Sequence, residues 1–170
     1  MQRRTLLKLG LASGAVLVIA GGGAALLYEP GWHEGRLSPS GRRVLGAVAR
    51  AVLDGTLPTG VDAQRAALAA HLDRMDATLR GMAPSAQHEV GDLLSLLAAT
   101  PGRLALAGLS TDWPGADAAD IQTALQAMRS SRIGLRRQAY HALRDLTHAA
   151  YFADRATWVQ LGYPGPMSLD

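Results

Sequence analysis

Apolar residues recur at spacings of three and four along most of the chain, and no run alternates strictly between apolar and polar. That periodicity predicts an all-α protein, a small helical bundle. Ser38-Pro39 reads as an N-cap and first-turn proline for a helix whose apolar face is Val44, Leu45, Val48, Ala51 and Val52, with Asp54-Gly55 as its stop. A second helix is predicted from Asp62 to near Gly81, with Leu68, Leu72, Met75 and Leu79 as its stripe. Pro84 opens a third, carrying Val90, Leu93, Leu94 and Leu97 and ending before Pro101. Residues 103–107 suit a short helical turn and Trp113-Pro114-Gly115 a loop. The longest stripe, Ile121, Leu125, Met128, Leu135, Ala139, Ala142 and Leu146, predicts one helix over 117–151, bent at Gly134. Asp154 caps a last short helix through Trp158 to Leu161. Gly162-Tyr163-Pro164-Gly165-Pro166 then cannot continue it and must run as an extended tail. The alanines at 66–70 predict close contacts between helices.

The pattern changes towards the N-terminus. Residues 9–28 carry no charge and follow Arg3, Arg4, Leu6 and Lys8. A basic start leading into an apolar run is an export signal, and the arginine pair gives it twin-arginine character, making the twin-arginine translocase a partner. A bilayer needs about 20 apolar residues, so this stretch either spans as a signal anchor helix or is removed. Gly10, Gly14 and Gly21 to Gly23 dilute its hydrophobicity, and no Ala-x-Ala falls between residues 9 and 30, so both outcomes stay open. Basic residues before the run and Glu29 and Glu34 after it place the remainder in the periplasm, free or anchored to the inner membrane. The chain divides into a signal or anchor at 1–30, a helical domain at 31–161 and a Gly/Pro-rich tail at 162–170.

Charge and composition narrow the chemistry. The net charge of +3 comes from the three basic residues among the first eight, since the rest balances 14 basic against 14 acidic residues. Such a domain lacks the basic footprint of a nucleic-acid binder. With no cysteine, disulfides, iron–sulfur clusters, thiolate nucleophiles and covalently attached haem are excluded together.

Individual residues offer little catalytic machinery. No G-x-S-x-G elbow, P-loop or dinucleotide fingerprint is present. His141 and His148 lie seven apart, a rise of about 10.5 Å, too far to share one ion directly. His71 and Met75, four apart, would place a nitrogen and a thioether on one side of a haem or metal ion, although Met75 belongs to an apolar stripe and suits a core. An alternative reading uses His71, Met75 or His141 in a stand-alone periplasmic enzyme or a haem- or metal-binding protein. The aspartate pairs 73/76 and 117/120 read as caps and solvated faces. Arg129, Arg132, Arg136, Arg137 and Arg144 crowd one segment with only Asp145 among them. Arg132 falls where the apolar stripe should continue, so it either pairs internally or faces another chain.

The stretch Ser130-Ser131-Arg132-Ile133-Gly134-Leu135-Arg136-Arg137-Gln138-Ala139-Tyr140-His141-Ala142-Leu143-Arg144 has a counterpart in a known family. So does the ending Ala149-Ala150-Tyr151-Phe152-Ala153-Asp154, Trp158, Leu161-Gly162-Tyr163-Pro164-Gly165-Pro166. Both resemble the gluconate 2-dehydrogenase subunit 3 family, small subunits of membrane-bound flavin dehydrogenases. The likeness is good over 117–166 and weaker before it, and the loop 153–157 lacks the Pro-Glu that the family pattern leads one to expect. The resemblance implies a non-catalytic subunit that binds, helps mature and co-exports an FAD-bearing catalytic subunit acting on sugars, sugar acids or alcohols, often alongside a cytochrome c subunit. It implies no cofactor, metal or catalytic residue in this chain. Arg132, Arg136, Tyr151, Trp158, Tyr163, Pro164, Gly165 and Pro166 are the expected partner-binding residues, with core packing an equal alternative for Tyr151 and Trp158.

Overall fold

The computed structural model describes residues 29–165. The residues expected to form the export signal, Arg3, Arg4, Leu6 and Lys8, and Pro166 of the tail, lie outside them. Within the described residues the chain is mostly helical. A two-stranded hairpin, β1 (Trp32–His33) and β2 (Arg36–Leu37), leads into α1 (Pro39–Val52), α2 (Val61–Arg80), α3 (Pro84–Ala98) and the single turn α4 (Thr100–Gly102). A π turn (Arg103–Ala107), α5 (Ala118–Arg129), α6 (Gly134–Phe152) and a 3₁₀ helix (Arg155–Leu161) follow.

α1 is the centre of the bundle because it touches α2, α3, α5 and α6. Ser38 Oγ accepts the Gly41 N–H at 3.1 Å, so the cap read from the sequence forms. Val44, Leu45, Val48 and Ala49 are completely buried, and a fully buried valine or leucine side chain contributes about 1.5–3 kcal/mol. Met75 and Leu79 of α2, Leu94 and Leu97 of α3, Ile121 and Met128 of α5, and Leu143 and Leu146 of α6 close the same core around them. Trp113 anchors the long loop: its ring is buried and its indole N–H donates to the Leu97 carbonyl at 2.7 Å.

Four sequence expectations change. The hairpin was not expected; its two-residue turn places Glu34 and Gly35 at φ 50° and 76°, the twist that suits a right-handed strand pair. Its entry passes so close to the helices that Gly31 and Gly41 leave no room for a β-carbon at either position. The helix predicted over 117–151 is two helices. The break at 130–133 has local causes, since Ser130 Oγ bonds back to the Gln126 carbonyl, Ser131 Oγ takes the Ile133 N–H, and Ile133 is extended. Arg132 therefore sits in a loop and not on an apolar stripe. Ala66, Ala69 and Ala70 are exposed, so this stretch of α2 is a solvated flank with only Ala67 and Leu68 half-buried. Finally, Asp76 is no solvated residue: it is buried and receives both the Leu37 N–H at 2.8 Å and Arg42 at 3.0 Å.

Candidate functional site

Tyr151, Trp158, Tyr163, Pro164 and Gly165 of the expected partner-binding residues lie at and beyond the C-terminal end of α6, and the construction of that end begins on α2. Arg74 donates from Nε to the Ala150 carbonyl at 3.2 Å, and its Nη1 lies 3.2 Å from Asp154 Oδ2. One side chain thereby takes the Ala150 carbonyl near the end of α6 and fixes the aspartate that starts the next turn. Asp154 in turn accepts the Ala156 N–H at 3.0 Å, the cap that the sequence led one to expect. Thr157 is buried and its hydroxyl reaches the carbonyls of Tyr151 and Asp154.

These bonds fold the 3₁₀ helix back over α6 and hold Trp158 in place. The Trp158 indole N–H donates to the Phe152 carbonyl at 2.8 Å, Arg155 lies over the ring at 5.7 Å, and Tyr163 stands 5.3 Å away. Gly162, at φ 65°, turns the tail, and Gly165 passes against the six-membered ring of Trp158. The outcome is an apolar platform on a braced support, with Val159 82%, Tyr163 48% and Phe152 38% exposed. Exposed apolar side chains on a rigid base are characteristic of a binding surface.

Not every expected residue joins it. Tyr151 is core, only 8% exposed, packed with Ala49 and Leu53 beneath the platform. Arg136 is half-buried and turned inward, its Nε donating to the Leu106 carbonyl at 2.7 Å, so it joins α6 to the π turn. Arg132 is exposed in its loop. Trp158, Tyr163 and Gly165 come together as described, and Pro164 is exposed between the last two. Phe152, Val159 and Arg155 were missed: Phe152 ends α6, and Arg155 and Val159 lie beside Trp158 on a turn too short to show helical periodicity.

His71 and Met75 do share a side of α2, but that side faces the interior. His71 is 1% exposed and Met75 wholly buried, so a haem or metal at this pair would have to displace core side chains. The His71 ring lies edge-on to Tyr151 with centroids 6.4 Å apart, and neither ring nitrogen has a hydrogen-bond partner. Burial, reinforced by the neighbouring Arg74 cation, lowers its pKa from 6.5 to about 4, which keeps the imidazole neutral. His148 is lowered too, by desolvation first and Arg144 second. Two His/Asp pairs at the four-residue spacing favoured by metal sites, His88/Asp92 and His141/Asp145, escaped notice in the sequence. His88 and Asp92 line a surface cleft with Trp32, His33, Glu34 and Gln87. Among the described residues no three His, Cys, Asp or Glu side chains come together to hold a metal ion, and no single helix is long and apolar enough to cross a membrane.

Comparison with protein-family models, curated proteins and solved structures finds no match for this chain.

Proposed function

We propose that this chain is the non-catalytic small subunit of a periplasmic flavin-dependent dehydrogenase, binding the folded catalytic subunit and lending it a twin-arginine export signal. The observation that carries the reading is the platform of Phe152, Trp158, Val159 and Tyr163. Phe152, Val159 and Tyr163 are exposed around the half-buried Trp158 although the support beneath them is hydrogen-bonded, so much of this apolar surface has no use within the described fold. A flavin enzyme must fold around its cofactor before export, and a pathway that moves folded proteins suits such a cargo. A carrier with Arg3 and Arg4 needs only a stable grip on it. The FAD belongs to the partner, and so does the oxidation of a sugar, sugar acid or alcohol.

The reading requires a flavoprotein gene beside this one. Co-expressing the two chains and replacing Arg3 and Arg4 by lysine tests the escort role directly. Active flavoprotein should then accumulate in the cytoplasm and vanish from the periplasm. Undiminished periplasmic activity would overturn it.

A further inference from the structure

The formally neutral domain is strongly segregated in charge. Residues 29–128 hold eleven acidic residues against eight arginines, whereas 129–155 hold six arginines against two aspartates. One of those two, Asp154, is committed to Arg74 of α2. Arg137, His141, Arg144, His148 and Phe152 follow one another at spacings of four, three, four and four, so they form a single line along the outer face of α6. That line rises about 22 Å along the helix. It leads on to Arg155 and the platform around Trp158. No ion pair joins Arg129, Arg132, Arg137 or Arg155 to a carboxylate among the described residues.

Several guanidinium groups on this ridge are already oriented. Arg137 Nη1 donates to the Ser131 carbonyl at 2.7 Å, Arg144 leans on Asp145 at 3.2 Å, and Arg155 stacks over Trp158. The rings of Tyr140 and Phe152 flank His141 and His148 at 5.2 and 5.9 Å. Side chains held this way lose less freedom on association than free ones.

We infer that the outer face of α6, with Arg137, Arg144 and Arg155, docks on a carboxylate-lined surface of the folded protein this chain accompanies, next to the aromatic platform. The inference rests on the proposed carrier role and adds the partner's chemistry to it. An acidic protein face fits better than an anionic membrane for two reasons. The only lysine in the chain is Lys8, and surfaces rich in arginine and aromatic rings but poor in lysine are the composition of protein interfaces. Oriented guanidinium forks match fixed carboxylates in pairs, a geometry that mobile lipid headgroups do not offer.

The full chain, co-expressed with the adjacent flavoprotein, is compared with the double variant Arg137→Glu/Arg144→Glu and with Arg65→Glu on α2 as control. Helicity is followed by circular dichroism, complex formation by affinity measurements across a salt series, and lipid binding by phosphatidylglycerol vesicles. Wild-type affinity should fall as salt rises, and the double reversal should weaken the complex by at least about tenfold with helicity unchanged, while Arg65→Glu binds normally. A double variant that binds the flavoprotein as tightly as wild type removes the ridge from the interface and leaves the carrier role standing. A wild-type chain that forms no complex at all removes both. Loss of vesicle binding with the flavoprotein complex intact assigns the ridge to the membrane and overturns the inference.

Discussion

The His71 imidazole meets the Tyr151 ring edge-on at 6.4 Å, sealed between α2 and α6 with both of its nitrogens unpartnered. Among the described residues it is a fully buried titratable group whose charge state the fold dictates without any hydrogen bond. The folded pKa of about 4 lies below the ordinary 6.5, so between those values the unfolded chain binds more protons than the folded one. The contribution of His71 to stability is therefore fully present above pH 6.5 and is lost as pH falls through 4, a loss on the order of 3 kcal/mol. His148 contributes with the same sign. Denaturant melts across that range should lose most of the slope in His71→Leu, which also removes two unsatisfied polar atoms and should be at least as stable as wild type at pH 7. An unchanged slope would show that other groups set the acid limit.

Asp76 should be far more sensitive than Asp73, although Arg42 contacts both. Asp76→Ala strands the Leu37 N–H and half of the Arg42 fork in a buried place, a loss of about 2–4 kcal/mol. Asp76→Asn keeps an acceptor for Leu37 and should lose less. Asp73 is largely exposed, and Asp73→Ala should stay within about 0.5 kcal/mol by thermal unfolding.

Two glycines should respond in opposite directions. A β-carbon at Gly102 would press directly on the Leu96 carbonyl, where α3 turns into α4 and the π turn, so Gly102→Ala should cost about 1–3 kcal/mol. Gly134 has open space and an ordinary φ in the first turn of α6, and Gly134→Ala should stabilise by about 0.4–1 kcal/mol. Thermal melts of the two variants decide the point; equal effects would place the turn at 99–108 elsewhere.

Trp158→Ala removes the ring that Arg155, Tyr163 and Gly165 rest on. Because Trp158 is only half-buried and outside the main core, the global melt should fall by no more than about 2 kcal/mol. The proposed carrier role predicts that affinity for the flavoprotein partner drops by at least about tenfold, as for an interface anchor. Normal co-purification with a lowered melting temperature would make Trp158 a structural residue alone.

Much of the architecture could be read directly from the chain because each feature depends on near neighbours. The helical class, the Ser38 and Asp154 caps, the stop at Asp54-Gly55 and the core stripes of α1 and α3 all follow from spacings within a turn or two. The 117–151 helix failed as one piece for an equally local reason, serine hydroxyls bonding to the backbone at 130–133, which a stripe of apolar residues does not reveal. What the linear pattern could not decide was partnership across the bundle. Only the meeting of α1, α2 and the hairpin makes Asp76 a buried junction, and only the α2–α6 contact turns His71 into a neutral core residue and Tyr151 from candidate anchor to support. The local arithmetic of caps and periodicity sets which segments coil. Desolvation and long-range hydrogen bonds, which depend on residues 30 to 80 positions apart, decide which side chains remain outside to meet another molecule.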